Sequence, residues 1–176
     1  VVHGLGPMLP VRLLPWVAAA IERLAPRGSA TEVVEAWRAG SYLHLCPPGL
    51  APAEEPIWRD VLPLRPTAPG GASDAGLMHR IEALPHARTV FVTLGTVYGG
   101  NTAALAAAIE GLRSLAVNLI VAVGPKGDPS LFEGYGRHVL IERLVPLASV
   151  LAHCDAVVSQ GGSGVMLGAM ALGLPQ

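Results

Sequence analysis

From Thr89 onward the chain alternates short, wholly apolar runs with longer stretches of helical spacing. The runs "TVFVTLGT", "VNLIVAVG", "HVLIERLVP" and "DAVVSQ" lack the in–out alternation of a half-exposed strand, so they predict strands buried on both faces. Between and after them, "NTAALAAAIEGLRSL", "ASVLAHC" and "GVMLGAMALG" predict helices. Strand followed by helix, repeated, predicts an α/β unit with a parallel sheet and right-handed crossovers. In such sheets ligands bind beyond the carboxyl ends of the strands.

The first third reads differently. "VVHGLGPML" predicts a short strand leaving through a Gly/Pro turn. "VRLLPWVAAAIERLAP" predicts a helix ended by Pro26, and "ATEVVEAWRAG" a second, with Thr31 as its N-cap and Gly40 after its end. "SYLHLCPPGL" reads as a strand up to the double proline, and "IWRDVLPLRP" as another extended run. Residues 67–76, "TAPGGASDAG", are rich in Pro, Gly and Ser and read as a linker. The expected organisation is therefore 1–66, a linker at 67–76, and a regular unit at 77–176 that opens with a helix between His79 and His86.

Composition narrows the function. Of 176 residues, 51% are hydrophobic and 14% charged, with a formal net charge of -1. A near-neutral chain with scattered Lys and Arg gives no footprint for nucleic acid or an anionic membrane. The run "LLPWVAAAI" is too short to span a bilayer, and no secretory leader is visible. Cys46 and Cys154 lie in no metal or redox spacing and read as buried thiols of a cytoplasmic protein. A start without Met makes the chain read as a piece cut at both ends.

Two strand ends carry the candidate chemistry. In "SQGGSG", Gly161, Gly162 and Gly164 precede a helix start, with Ser163 among them. Backbone without Cβ lets an anion approach several N–H groups, and the helix start adds partial positive charge. In "LGT", Gly95 and Thr96 offer an N–H and a hydroxyl, and Gly99 and Gly100 lengthen the loop. Each feature alone also fits a plain strand-ending turn, with Thr96 capping the next helix. Neither a Gly-x-Gly-x-x-Gly turn after the first strand nor a Gly-Lys-Ser/Thr loop is present, which argues against an ordinary NAD or ATP site.

The series "TLGT", helix, "LVP", "DAVVSQGGSG", "ALGLPQ" resembles the nucleotide-sugar-dependent glycosyltransferases of the GT-B architecture, and within them the bacterial enzymes acting on macrolides and other polyketides. The likeness is strong over 89–176. It is weaker over 1–66, where "VVHGLGP", "YLHLCPPGL" and "LPLRP" look like the tail of the acceptor domain. The resemblance implies two Rossmann-like domains: here an incomplete C-terminal donor domain and the tail of the N-terminal acceptor domain. It implies transfer of a sugar, with inversion, from a TDP- or UDP-sugar to a hydroxyl of a small-molecule acceptor, without metal or other cofactor. Carried over, Thr96 and the Gly161, Gly162, Ser163, Gly164 backbone would hold the diphosphate, with Gly95 and Gln160 beside them. Leu144 would lie against the base, where relatives often have an aromatic residue. The backbone of Val145 would read the base edge, with Pro146 fixing that turn.

Two positions depart from the family's pattern. Gln160 stands where the family usually has His, and Val165 where it usually has Thr. Gln donates a hydrogen bond but carries no charge, so weaker donor binding or slower transfer is expected. The family's catalytic His and its Asp would precede residue 1, and its sugar-binding Asp-Gln pair would follow Gln176. No catalytic residue is therefore assigned, no metal site is expected, and this piece alone is expected to be inactive. His3, His44, His79, His86, His138 and His153 read as packed or solvated, and Asp155 as a turn residue. The alternatives are a non-catalytic accessory homologue and a nucleotide-sugar epimerase or glycan-assembly transferase of the same architecture. A homodimer is left open.

Overall fold

The computed structural model describes residues 2–4, 11–24, 29–45, 47, 49, 56–67, 74–98 and 101–176. The chain divides into two compact units, Val1–Pro66 and Thr67–Gln176.

In the first unit, three short strands, β1 (Val2–Gly4), β2 (Ser41–His44) and β3 (Asp60–Pro63), form a parallel sheet in that spatial order. A 3₁₀ turn at Val11–Leu13 leads into α1 (Leu14–Leu24), and α2 is Ala30–Arg38. The N-cap position of α2 is Ser29, with no side-chain cap bond, and not Thr31, which lies inside the first turn. The predicted stop at Pro26 lies outside the described residues.

Aromatic stacking holds this small unit together. Tyr42 stacks on Trp58 with ring centroids 4.0 Å apart, and Trp37 meets Trp58 edge-on at 4.8 Å. Ile57 is buried beside them. Such rings contribute about 0.5–1.5 kcal/mol per pair beyond the apolar area they bury. Around the rim, Glu35 pairs with Arg38 at 3.1 Å and with Arg59 at 2.6 Å.

The second unit carries the regular pattern. α3 (Ala75–Glu82) is followed by β4 (Thr89–Thr93), the single turn α4 (Gly95–Tyr98), α5 (Thr102–Leu112) and β5 (Asn118–Ala122). A 3₁₀ turn at Pro129–Phe132 leads to β6 (Val139–Glu142), α6 (Leu147–Leu151), β7 (Ala156–Ser159) and α7 (Ser163–Ala171). α3 starts inside the stretch read as linker because Asp74 caps it, accepting from the Leu77 N–H at 3.1 Å. The strands are all parallel, in the order β6-β5-β4-β7.

Both faces of the central strands are covered, as their unbroken apolar runs require. On one face Phe91, Ile120 and Val157 pack against Leu77 and Ile81 of α3, Val150 and Leu151 of α6, and Ala169 of α7. On the other, Val92, Leu119 and Val121 pack against Leu105 and Ile109 of α5, with Phe132 closing that side. All five residues of β5 are buried. Each buried Leu, Ile, Val or Phe contributes about 1.5–3 kcal/mol, so these two layers dominate the unit's stability.

Candidate functional site

The strand order contains a reversal. β4, β5 and β6 progress in one direction, whereas β7 returns to the opposite flank of β4. The crevice between the carboxyl ends of β4 and β7 is therefore the switch point of the sheet, where open parallel sheets take their ligands. Thr93 ends β4 directly opposite Ser159, which ends β7. The two loops singled out from sequence, Gly95–Thr96 and Gln160–Gly164, leave these two strands side by side.

Each loop is set by local chemistry. Gly95 sits at φ +69 and Gly161 at φ +76, the left-handed region that favours glycine. The Thr93 hydroxyl donates to Ala122 O at 3.0 Å and accepts from the Gly95 N–H at 3.1 Å. Ser159 Oγ accepts from the Gly161 N–H at 3.2 Å. Two of the amides counted on to hold an anion, those of Gly95 and Gly161, are thus already engaged by hydroxyls that shape the turns. The open donors lie one residue further on. α7 begins without a side-chain cap on Gly162, and its first bond is from the Met166 N–H to Gly162 O at 2.9 Å. The N–H groups of Gly162, Ser163, Gly164 and Val165 precede that bond and have no intrahelical partner.

Gln160 links the two loops. Its Nε2 lies 2.3 Å from where a Cβ on Gly95 would stand and 2.7 Å from that of Gly162. Thr96 is exposed on α4 and does not cap the next helix. That task belongs to Asn101, whose Oδ1 accepts from the Ala104 N–H at 3.1 Å. Gly99 and Gly100 lie outside the described residues. Val165 is half-buried against the core cluster beneath α7, so it is a packing residue and its side chain is spent on the fold.

The predicted base-contact residues follow β6, at the far side of the sheet. Leu144 is 59% exposed, which excludes core packing for it. Val145 packs against the core, and neither of its backbone groups bonds another backbone group among the described residues. Pro146 occupies the N-cap position of α6. From the β4–β7 crevice to the end of β6 is two to three strand spacings, about 10–14 Å.

A cavity of about 440 Å³ opens nearby, along the outer edge of β7. Val157, Val158, Met166 and Met170 line it, and it shares Ser159 and Gly161 with the glycine turn. Its lining is mostly apolar, unlike the run of unbonded amides at the start of α7.

The histidines of this unit lie elsewhere. His86 and His138 face each other edge-on at 5.7 Å, and the His153 ring is held by Ser149 O at 2.9 Å. Among the described residues no three His, Cys, Asp or Glu side chains converge as a metal site would need. No described helix is long and apolar enough to cross a membrane. Burial pushes the Cys154 thiol up to about 12, which keeps it unreactive.

No family-level sequence model matches the chain. Individual relatives do. It is 31% identical over 86 residues to the demethyllactenocin mycarosyltransferase of Streptomyces fradiae, covering 49% of this chain and 19% of that enzyme. It is 32% identical over 160 residues to the elloramycin glycosyltransferase ElmGT of Streptomyces olivaceus, covering 88% of this chain and 38% of that enzyme. The spinosyn rhamnosyltransferase SpnG, solved in complex with thymidine diphosphate, superposes with a TM-score of 0.62 at 28% identity, over 77% of this chain and 36% of SpnG. The chain thus spans between 19% and 38% of the length of these two curated relatives. By its parallel-sheet fold, and by sequence over the part of them that it spans, this chain is similar to glycosyltransferases of the GT-B architecture.

Proposed function

We propose that residues 77–176 form the donor-binding part of an inverting glycosyltransferase, which moves a sugar from a TDP- or UDP-sugar to a hydroxyl of a small polyketide-like acceptor. Residues 1–66 belong, on this reading, to the acceptor side. One observation carries it: two glycine-bearing loops leave β4 and β7 at the switch point of the sheet, beside an uncapped helix start. The relatives' chemistry supports it, since one is a mycarosyltransferase and SpnG is solved with thymidine diphosphate.

The diphosphate lies in the crevice against the α7 amides, the Ser163 hydroxyl, Thr96 and Gln160. The base extends along the carboxyl edge of the sheet toward Leu144 and Val145. In the transfer step the acceptor oxygen forms a bond to the anomeric carbon as that carbon's bond to the phosphate oxygen breaks. The nucleoside diphosphate leaves with the electron pair, and the acceptor's proton passes to a base that the described residues of this unit do not supply. Charge therefore grows on the leaving phosphate, where aligned amides stabilise it without reorganising. The reading asks for no metal ion and places the protein in the cytoplasm.

Calorimetric titration of TDP and UDP against the chain tests this. Saturable binding of one or both is expected. A folded chain, verified by circular dichroism, that takes up neither would end the proposal.

The neutral Gln160 also favours a second reading, a homologue that keeps the fold without the chemistry. Under the first reading Gln160→His, made in a full-length version of the enzyme, raises transfer, by up to the 10²–10³ typical of one oxyanion donor. Under the second, transfer stays absent and nucleotide binding with it.

A further inference from the structure

Gly162 has no backbone reason to be glycine. Its φ of -62 and ψ of 133 are open to any residue, and it holds the N-cap position, where Ser, Asp, Asn and Thr are favoured and satisfy a free amide. What a side chain at 162 would meet is Gln160: Nε2 at 2.7 Å and Cδ at 3.4 Å from the added Cβ. Gly95 borders the same carboxamide from the other loop, with Nε2 at 2.3 Å and Cδ at 3.2 Å from its added Cβ. The carboxamide therefore fills a notch made by two missing side chains, one on each loop. There it makes no hydrogen bond to any described residue.

We propose that Gly162 is kept bare to seat the Gln160 carboxamide between the two loops, so that Gln160 meets the diphosphate as a neutral, pre-placed donor. Gly162 is then a positioning residue and Gln160 the binding one. This rests on the donor-site reading above and adds to it a coupling between two residues. A pre-placed donor loses little side-chain freedom on binding, which is where a long flexible amide is otherwise weak.

A double-mutant cycle on TDP affinity tests the coupling. Gln160→Ala removes one hydrogen bond to a charged group and is expected to weaken TDP by roughly 10- to 100-fold. Gly162→Ala is expected to weaken it by a similar factor with an unchanged thermal midpoint, because the displaced atom is the free end of a flexible side chain. The double variant is expected to bind no more weakly than either single one. Wild-type affinity in Gly162→Ala overturns the inference. So does a double variant whose loss is the product of the two single losses, since the new methyl would then be striking the ligand itself. A wild-type chain that ignores TDP overturns the donor-site reading and this inference together, whereas wild-type binding with an indifferent Gly162→Ala overturns this inference alone.

Discussion

The two ends of the second sheet are built on opposite principles. At the amino end two polar side chains, Asn118 and Asp155, are spent on neighbouring groups, while His138 Nε2 is buried with no partner among the described residues. Asn118 is buried, donates to His86 O at 2.7 Å and Thr89 Oγ1 at 3.1 Å, and accepts from the His86 N–H at 2.9 Å. Asp155 accepts from the Thr89 N–H at 2.9 Å and from Arg88 at 2.5 Å, clamping the start of β4 to the turn before β7. At the carboxyl end the α7 start has no side-chain cap, Gln160 has no hydrogen-bond partner among the described residues, and Leu144 stands in solvent. A closed foot holds the strands in register, and an open mouth leaves donors for something else. Engaged polar side chains and open donors thus fall at different ends of the same four strands.

Breaking the foot should have the largest effect. Asn118→Leu strands the His86 backbone groups and the Thr89 hydroxyl, and is expected to cost about 3 kcal/mol in urea unfolding. An unchanged midpoint would show that the foot does not hold the strands. Ser163→Asp separates the two ends more sharply. A carboxylate at the first position of α7 complements the helix dipole and should stabilise the chain by about 0.5 kcal/mol. The same charge repels a diphosphate and should weaken TDP by at least roughly tenfold. Loss of both, or of neither, would break the division of labour.

Leu144→Trp probes the far side of the mouth. A base–aromatic stack contributes about 1–3 kcal/mol, so TDP and UDP should both tighten by roughly five-fold or more. No gain would move the base away from β6.

Acid gives the smallest effect. The Thr89 N–H, then Arg88, hold the Asp155 carboxyl below its ordinary 3.8. A carboxylate depressed on folding contributes stability that is present above its unfolded value and lost as pH falls through the folded one. Thermal midpoints should therefore fall below about pH 4, and Asp155→Asn should flatten that part of the profile. A slope unaltered by the substitution would assign acid sensitivity to other groups.

Much of the second unit was legible in the residues. "VNLIVAVG" has no polar position to turn outward, so it had to be covered on both sides, and β5 is buried throughout. Helix starts were less legible. Thr31 read as the cap, but Ser29, an equally short hydroxyl residue two positions earlier, holds that place, and only the chain's path decides between them. At the candidate site the residue types were visible but their state was not. The Gly95 and Gly161 amides are taken by Thr93 and Ser159, side chains two residues away whose reach depends on the turn. Val165 looked like a lost hydroxyl at the mouth and instead faces the core.

The sequence by itself determined that residues 89–171 form parallel strands wrapped in helices, because unbroken apolar runs leave burial on both faces as the only economical solution. It also placed glycines at two strand ends. That those ends are neighbours was decided only in three dimensions. β4 and β7 are separated in the chain by two other strands, and their pairing depends on which flank of β4 the returning chain finds open. No local preference carries that information. The crevice, and the Gln160 carboxamide lodged between Gly95 and Gly162, exist only because the sheet closes in that order.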